Sequence, residues 1–204
     1  MRAFTSSRLT PPRRTIRVVP TIFTVGHSTR SLDELLAILR AHGVTAIADV
    51  RRFAGSRRLP QFNAAHLAAA LPAAGVAYLP CPQLGGRRKP APDSPNGGWR
   101  NESFRAYADY MQTPAFAEGL ALLIDFAHHT PTGMMCAEAV PWRCHRSLIA
   151  DALLIRGWTV LDLMSATKVT PHKLTPFAKV EGHRITYPPE GDLFPIQIPP
   201  SINS

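Results

Sequence analysis

Between Thr21 and Leu163 short apolar runs alternate with segments of helical period, and this alternation constrains the chain more than any other feature. Ile22-Phe23-Thr24-Val25 reads as a strand ending at Gly26-His27-Ser28. Ser31 and Glu34 form an S-x-x-E capping box, Leu32, Leu35, Leu36 and Leu39 follow at helical spacing, and Gly43 stops the helix. Val44–Val50 is nearly all apolar, as expected for a strand buried on both faces. This β-α-β unit makes the first two strands parallel. The pattern continues with a helix capped by Asn63 and running through Ala74, and a strand at Val76–Leu79. Helices near Glu102–Met111 and Pro114–Ala127 follow, then a strand at Gly133–Ala137, a helix at Ser147–Arg156 and a strand at Trp158–Leu163. Cys81–Gly98, broken by prolines, is irregular. The expected fold is α/β: an open, mostly parallel sheet, doubly wound and Rossmann-like, with helices on both faces. One domain is expected over residues 21–187, between a basic flexible tail (1–20) and a Pro-rich tail (188–204).

Three cysteines are too few, and odd in number, for a secreted disulfide framework. No apolar run approaches the roughly 18–20 residues of a membrane-spanning helix. The expectation is a cytoplasmic protein with no membrane partner. The charge balance is more informative: 23 Lys and Arg stand against 14 Asp and Glu, a net charge of +9, and 19 of the 23 are Arg. Arg suits bidentate phosphate contacts, so the excess points to nucleic acid, nucleotides or another polyanion. A GC-rich coding sequence produces the same excess without any ligand. Two cationic clusters lie inside the domain, Arg51-Arg52 with Arg57-Arg58, and Arg87-Arg88-Lys89. Arg57 and Arg58, interleaved with Phe53 and Phe62, form with Arg87, Arg88 and Lys89 the expected nucleic-acid surface, on which bases stack and phosphates pair.

In open α/β sheets ligands bind at the carboxyl ends of the strands. The residues just past the expected strands are polar and reactive. Glu138 is an isolated acid among Arg143, Arg146 and a helix N-terminus, fit to act as nucleophile, general base or ribose clamp, unless it simply pairs with a neighbouring Arg. Asp49 and Arg51 share a face at the end of the second strand, where they could orient a ribose and take a phosphate. The loop with His27 and Ser28, and that with Gly85 and Gly86, offer further anion seats. Cys144, at a helix N-terminus beside Arg, should have the lowered pKa of a reactive thiol, whereas Cys136 ends a strand and suits a small buried hydrophobe. Cys136, Cys144 and His145 could also bind a metal. Their C-x7-C-H spacing lacks the paired motif of a zinc site, so no cofactor is expected.

The ordered series T-V-G-H-S at Thr24–Ser28, A-D-V-R at Ala48–Arg51, L-G-G at Leu84–Gly86 and C-A-E…C-H-R at Cys136–Arg146 resembles the domain of unknown function 488 family over about Thr21 to Tyr187. The resemblance implies an α/β fold and a site on His27, Ser28, Asp49, Arg51, Gly85, Gly86, Cys136, Glu138, Cys144, His145 and Arg146. It implies no particular reaction.

The leading expectation is an enzyme acting on a nucleotide or nucleic acid by N-glycosidic, base-excision-like hydrolysis. Catalysis would involve Glu138, Asp49, His27, Cys144 and His145. Ser28, Arg51, Arg52, Gly85, Gly86, Arg143 and Arg146 would bind the substrate. The alternatives are a cysteine-dependent sulfur or redox enzyme and a non-catalytic nucleic-acid or nucleotide-binding module.

Overall fold

The computed structural model describes residues 19–189. The basic stretch before them and the Pro-rich stretch after them lie outside the described residues. Thirteen regular elements follow in order: β1 (Thr21–Gly26), α1 (Leu32–Ala41), β2 (Ala46–Asp49), α2 (Ala64–Ala73), β3 (Ala77–Pro80), α3 (Glu102–Tyr110), α4 (Pro114–His129), β4 (Thr132–Cys136), α5 (Arg146–Leu154), β5 (Thr159–Leu163), β6 (Val169–Pro171), β7 (Lys179–Glu181) and β8 (Arg184–Thr186). The first six strands form one sheet in the order β3-β2-β4-β1-β5-β6, and β7 and β8 form a separate ribbon. β1 to β5 all run parallel to one another, while β6 runs antiparallel to β5. No helix among the described residues is long and apolar enough to cross a membrane.

Alternation along the strands divides the core in two. Ile47, Met135 and Val25 pack with Leu35, Leu39, Leu67 and Leu71 of α1 and α2 on one face. Ala48, Met134 and Ile22 pack with residues of α3, α4 and α5 on the other. Successive strand residues point to opposite faces, so this partition is the expected doubly wound arrangement. The α1 capping box forms as the sequence indicates: Glu34 N donates to Ser31 Oγ at 3.1 Å and Ser31 N donates to Glu34 Oε2 at 2.6 Å. Asn63 occupies the N-cap position of α2 but makes no side-chain bond to that helix. Its Oδ1 instead accepts from Ser56 N at 2.6 Å and ties down the loop after β2.

The last stretch of the domain differs most from expectation, because β6, β7 and β8 are only three residues each and largely exposed. Apolar periodicity cannot register so short an element. A buried polar knot holds this stretch. His172 bonds Asp151 at 3.0 Å through Nε2 and Asp162 at 3.2 Å through Nδ1. Thr175 and Tyr187 hydroxyls donate to Asp151 at 2.6 and 2.9 Å, and Thr24 Oγ1 donates to Asp162 at 2.7 Å. Burial pushes the His172 pKa down, but the hydrogen bonds and charges of Asp151 and Asp162 outweigh it and raise it to about 9.

Candidate active site

Three strand ends build the site. In register, Gly26 of β1 lies beside Cys136 of β4, and Asp49 of β2 lies beside Met135. Arg51, just past β2, is 9% exposed and fixed on several sides. Its Nε donates to Asp49 Oδ1 at 2.7 Å, and its Nη2 donates to Asp49 Oδ2 at 2.6 Å and to the Phe62 carbonyl at 2.8 Å. Its Nη1 meets His27 Nε2 at 3.2 Å. A guanidinium has five N–H groups, and these contacts leave one Nη1 hydrogen for a ligand. Asp49 also takes Tyr78 Oη at 2.8 Å and the Arg51 amide at 3.2 Å. Its oxygens are therefore filled, so the expected catalytic role of Asp49 is corrected: it positions Arg51.

His27 is likewise a positioning group. Its Nδ1 faces the Ser28 carbonyl at 3.0 Å, which requires the proton on Nδ1 and leaves Nε2 to accept from Arg51. Burial first, and the Arg51 charge second, lower its pKa, and its ring stacks on Phe62 at 4.1 Å. The anion seat expected around Ser28 does not form, because His27 N and Ser28 N both donate at 2.9 Å, to the Cys136 and Ala137 carbonyls. Arg146 is also corrected. It is 1% exposed, and its Nη1 and Nη2 donate to the Glu138 and Ala139 carbonyls at 2.6 and 3.0 Å, so it shapes the loop after β4 rather than meeting substrate. Its Nε is buried without a partner among the described residues.

Four arginines, Arg51, Arg52, Arg87 and Arg143, line a pocket of about 280 Å³ at this edge of the sheet. Glu138 is the one acid among its lining residues, and it is exposed. The competing ion pair does not form: no cation among the described residues lies within 4.0 Å of its carboxylate. Phe53, 63% exposed, sits between Arg52 and Arg87, whose guanidinium carbons are 5.5 and 5.8 Å from its ring centre. Ser103 and Phe104, in the first turn of α3, complete one wall.

The surface residues divide. Arg57, Arg58 and Lys89 are exposed but do not line the pocket. Arg88 stacks its guanidinium 3.5 Å from the Tyr110 ring centre and donates to the Gly85 and Gln83 carbonyls, so it holds its loop. Phe62 is 0% exposed and belongs to the core, which corrects its place on a stacking surface. Phe53 is the exposed aromatic beside Arg52 and Arg87. Sequence reasoning paired Phe53 with Phe62 and did not single out Ser103 or Phe104. The glycines make room: a Cβ on Gly85 would overlap the Arg52 backbone, and one on Gly86 would come within 2.9 Å of His145 Nδ1.

Cys136, Cys144 and His145 meet at the pocket floor. Cys144 Sγ is 3.7 Å from His145 Nδ1, and His145 Nε2 is 3.0 Å from the Val50 carbonyl. The lowered pKa expected of Cys144 is not found, because its thiol is buried beside Cys136. The neighbouring Cys144 thiol, and then His145, lower the Cys136 pKa, while the neighbouring Cys136 and burial raise that of Cys144. The third thiol, Cys81, is buried in the core and pushed up to about 12 by burial and the Asp49 charge.

No curated protein and no solved structure matches this chain. A family model does match, over residues 31–153. Three of the four motif pieces fall within that stretch, and T-V-G-H-S lies just before it. By this match the chain belongs to the family described as Domain of unknown function DUF488.

Proposed function

We propose that the protein is an enzyme acting on a nucleotide or nucleic acid, by N-glycosidic cleavage of the base-excision type. One observation carries the reading: Glu138, a carboxylate with no ion-pair partner among the described residues, stands in a pocket walled by four arginines. The arginines suit phosphate oxygens. Phe53, flanked by cations, suits the face of a base, and such stacking is worth about 1–3 kcal/mol per base. Glu138 would face the sugar. Its negative charge stabilises the oxocarbenium-like centre that develops at C1′ as the C1′–N bond breaks. The bond pair leaves with the base, a water oxygen adds to C1′, and Glu138 takes the water proton, which ends on the departing base. A base in a duplex must leave the stack to reach such a pocket, so single-stranded substrate is favoured.

The test is binding of the full chain to single- and double-stranded DNA and RNA across a salt series, with mass analysis of recovered products. The expected result is salt-sensitive binding with a released free base. Glu138→Gln should lower turnover by about 10²–10⁴-fold, the usual contribution of a general acid or base, with affinity nearly unchanged. Arg87→Ala and Arg143→Ala should each flatten the salt slope on single strands by about 0.7. Absence of binding at low salt, or full activity in Glu138→Gln, overturns the reading. Binding with no product would mark a binding module instead.

A further inference from the structure

The pocket floor carries chemistry that the carboxylate does not use. Cys136 ends β4, Cys144 follows the short 3-10 turn Pro141–Arg143, and His145 is the N-cap of α5. One donor atom from each of these residues lies within 4.8 Å of the other two. The Cys144 Sγ to His145 Nδ1 separation is 3.7 Å. With Zn–S near 2.3 Å and Zn–N near 2.0–2.1 Å, two such ligands on a tetrahedral ion stand about 3.6 Å apart. One edge of a coordination tetrahedron therefore already has its length.

The imidazole is also set for coordination. The Val50 carbonyl can only accept, so His145 Nε2 carries the proton and Nδ1 presents its lone pair on the sulfur side. A histidine that binds a metal through one nitrogen typically donates the other N–H in this way, which fixes its tautomer. The ring is held by Tyr107, with centroids 4.9 Å apart, and Tyr107 is itself fixed by a 2.6 Å bond from its hydroxyl to the Leu84 carbonyl. On the other side Gly86 lacks the Cβ that would crowd Nδ1. The two cysteines are 6% and 3% exposed, yet all three residues line the arginine pocket.

We propose that Cys136, Cys144 and His145 bind a divalent ion of the Zn²⁺ class through two sulfurs and one ring nitrogen, with a fourth coordination position open to the arginine-lined pocket. Thiolates and imidazole select zinc and related ions over magnesium or calcium. Two thiolates cancel the charge of the ion, which suits a buried position. Three protein ligands with one open position is the pattern of catalytic rather than structural zinc. The open position would accept a water or a substrate oxygen. The site holds whichever reaction the pocket runs.

The test is titration of the full chain, kept reduced with a phosphine, with Co²⁺ and then Zn²⁺. The expected result is one Co²⁺ per chain, with a thiolate-to-cobalt charge-transfer band and intense tetrahedral d–d bands, displaced by Zn²⁺. Cys136→Ser, Cys144→Ser and His145→Gln should weaken uptake by more than the roughly 10–100-fold that loss of an outer partner costs. Cys81→Ala should leave it unchanged. X-ray absorption at the zinc edge of the wild-type protein reads the ligands without any variant, and two sulfur scatterers with two lighter ones are expected. No uptake, a pale octahedral cobalt spectrum, or a first shell without sulfur overturns the proposal. The titration needs no substrate, so its outcome is separate from that of the base-release assay.

Discussion

Arg51 shows how a single side chain organises this site. It joins the end of β2 to β1 through His27 and to the loop before α2 through the Phe62 carbonyl, while Asp49 neutralises it. Removing one partner of such a buried pair leaves the other charge uncompensated. Arg51→Met should therefore lower the unfolding free energy by about 3–5 kcal/mol, measured by urea denaturation. Arg51→Lys keeps the charge but loses the two-pronged fit, and should fall between that variant and the wild type. At this scale the sequence was legible in part. Strand alternation correctly put Asp49 and Arg51 on one face. It could not say that the pair would be consumed by each other, since a carboxylate beside a guanidinium reads the same whether it serves a ligand or a neighbour. Phe62 and Phe53 illustrate the same limit. Both are aromatic residues near arginines, and only the packing of Phe62 into the core, with its ring stacked on His27, tells them apart. For Cys144 the helix position was visible, and its burial beside Cys136 was not.

The elements were far more legible than the contacts. β1 to β5 and α1 to α5 follow from apolar runs, caps and glycine stops, and their observed bounds differ from the expected ones by a few residues at most. What escaped was short or exposed, as with β6, β7 and β8. Two N-cap residues that look alike in sequence behave differently, and this can be measured. Ser31→Ala removes a bond that belongs to α1 and should destabilise the protein by about 1 kcal/mol, seen as a lower urea midpoint. Asn63→Ala removes a bond to Ser56, not to α2. Its main effect should be faster hydrogen exchange at the Ser56 amide, in the loop that carries Phe53. If Asn63→Ala instead unravelled α2 while leaving that amide protected, the assignment of its side chain to the loop would be wrong.

At the scale of the molecule, the His172 knot joins β5, α5 and the chain beyond β6. It makes stability depend on pH in a definite direction. The His172 pKa is raised from 6.5 to about 9 in the folded protein. The stabilisation is fully present below pH 6.5 and is lost as the pH rises through about 9. Its size is on the order of 3 kcal/mol. Urea unfolding measured across that interval should show the loss, and His172→Gln should largely remove the pH dependence there. A wild-type protein whose stability stayed level from neutral to alkaline pH would show that the imidazole is not charged between its two carboxylates.

The position of β1 has a practical consequence. It lies between β4 and β5, so the strand that begins the domain is central to its sheet. The stretch that the family model matches begins after β1 and ends before β5. A fragment trimmed to that stretch would leave the β4 backbone donors and acceptors on one side without partners, along an apolar strand now open to solvent. Such an edge invites pairing with another chain. The boundary of likeness to the family is therefore not a boundary for folding, and any truncated form used to study this pocket should begin no later than Thr21 and extend at least through the contacts of Tyr187.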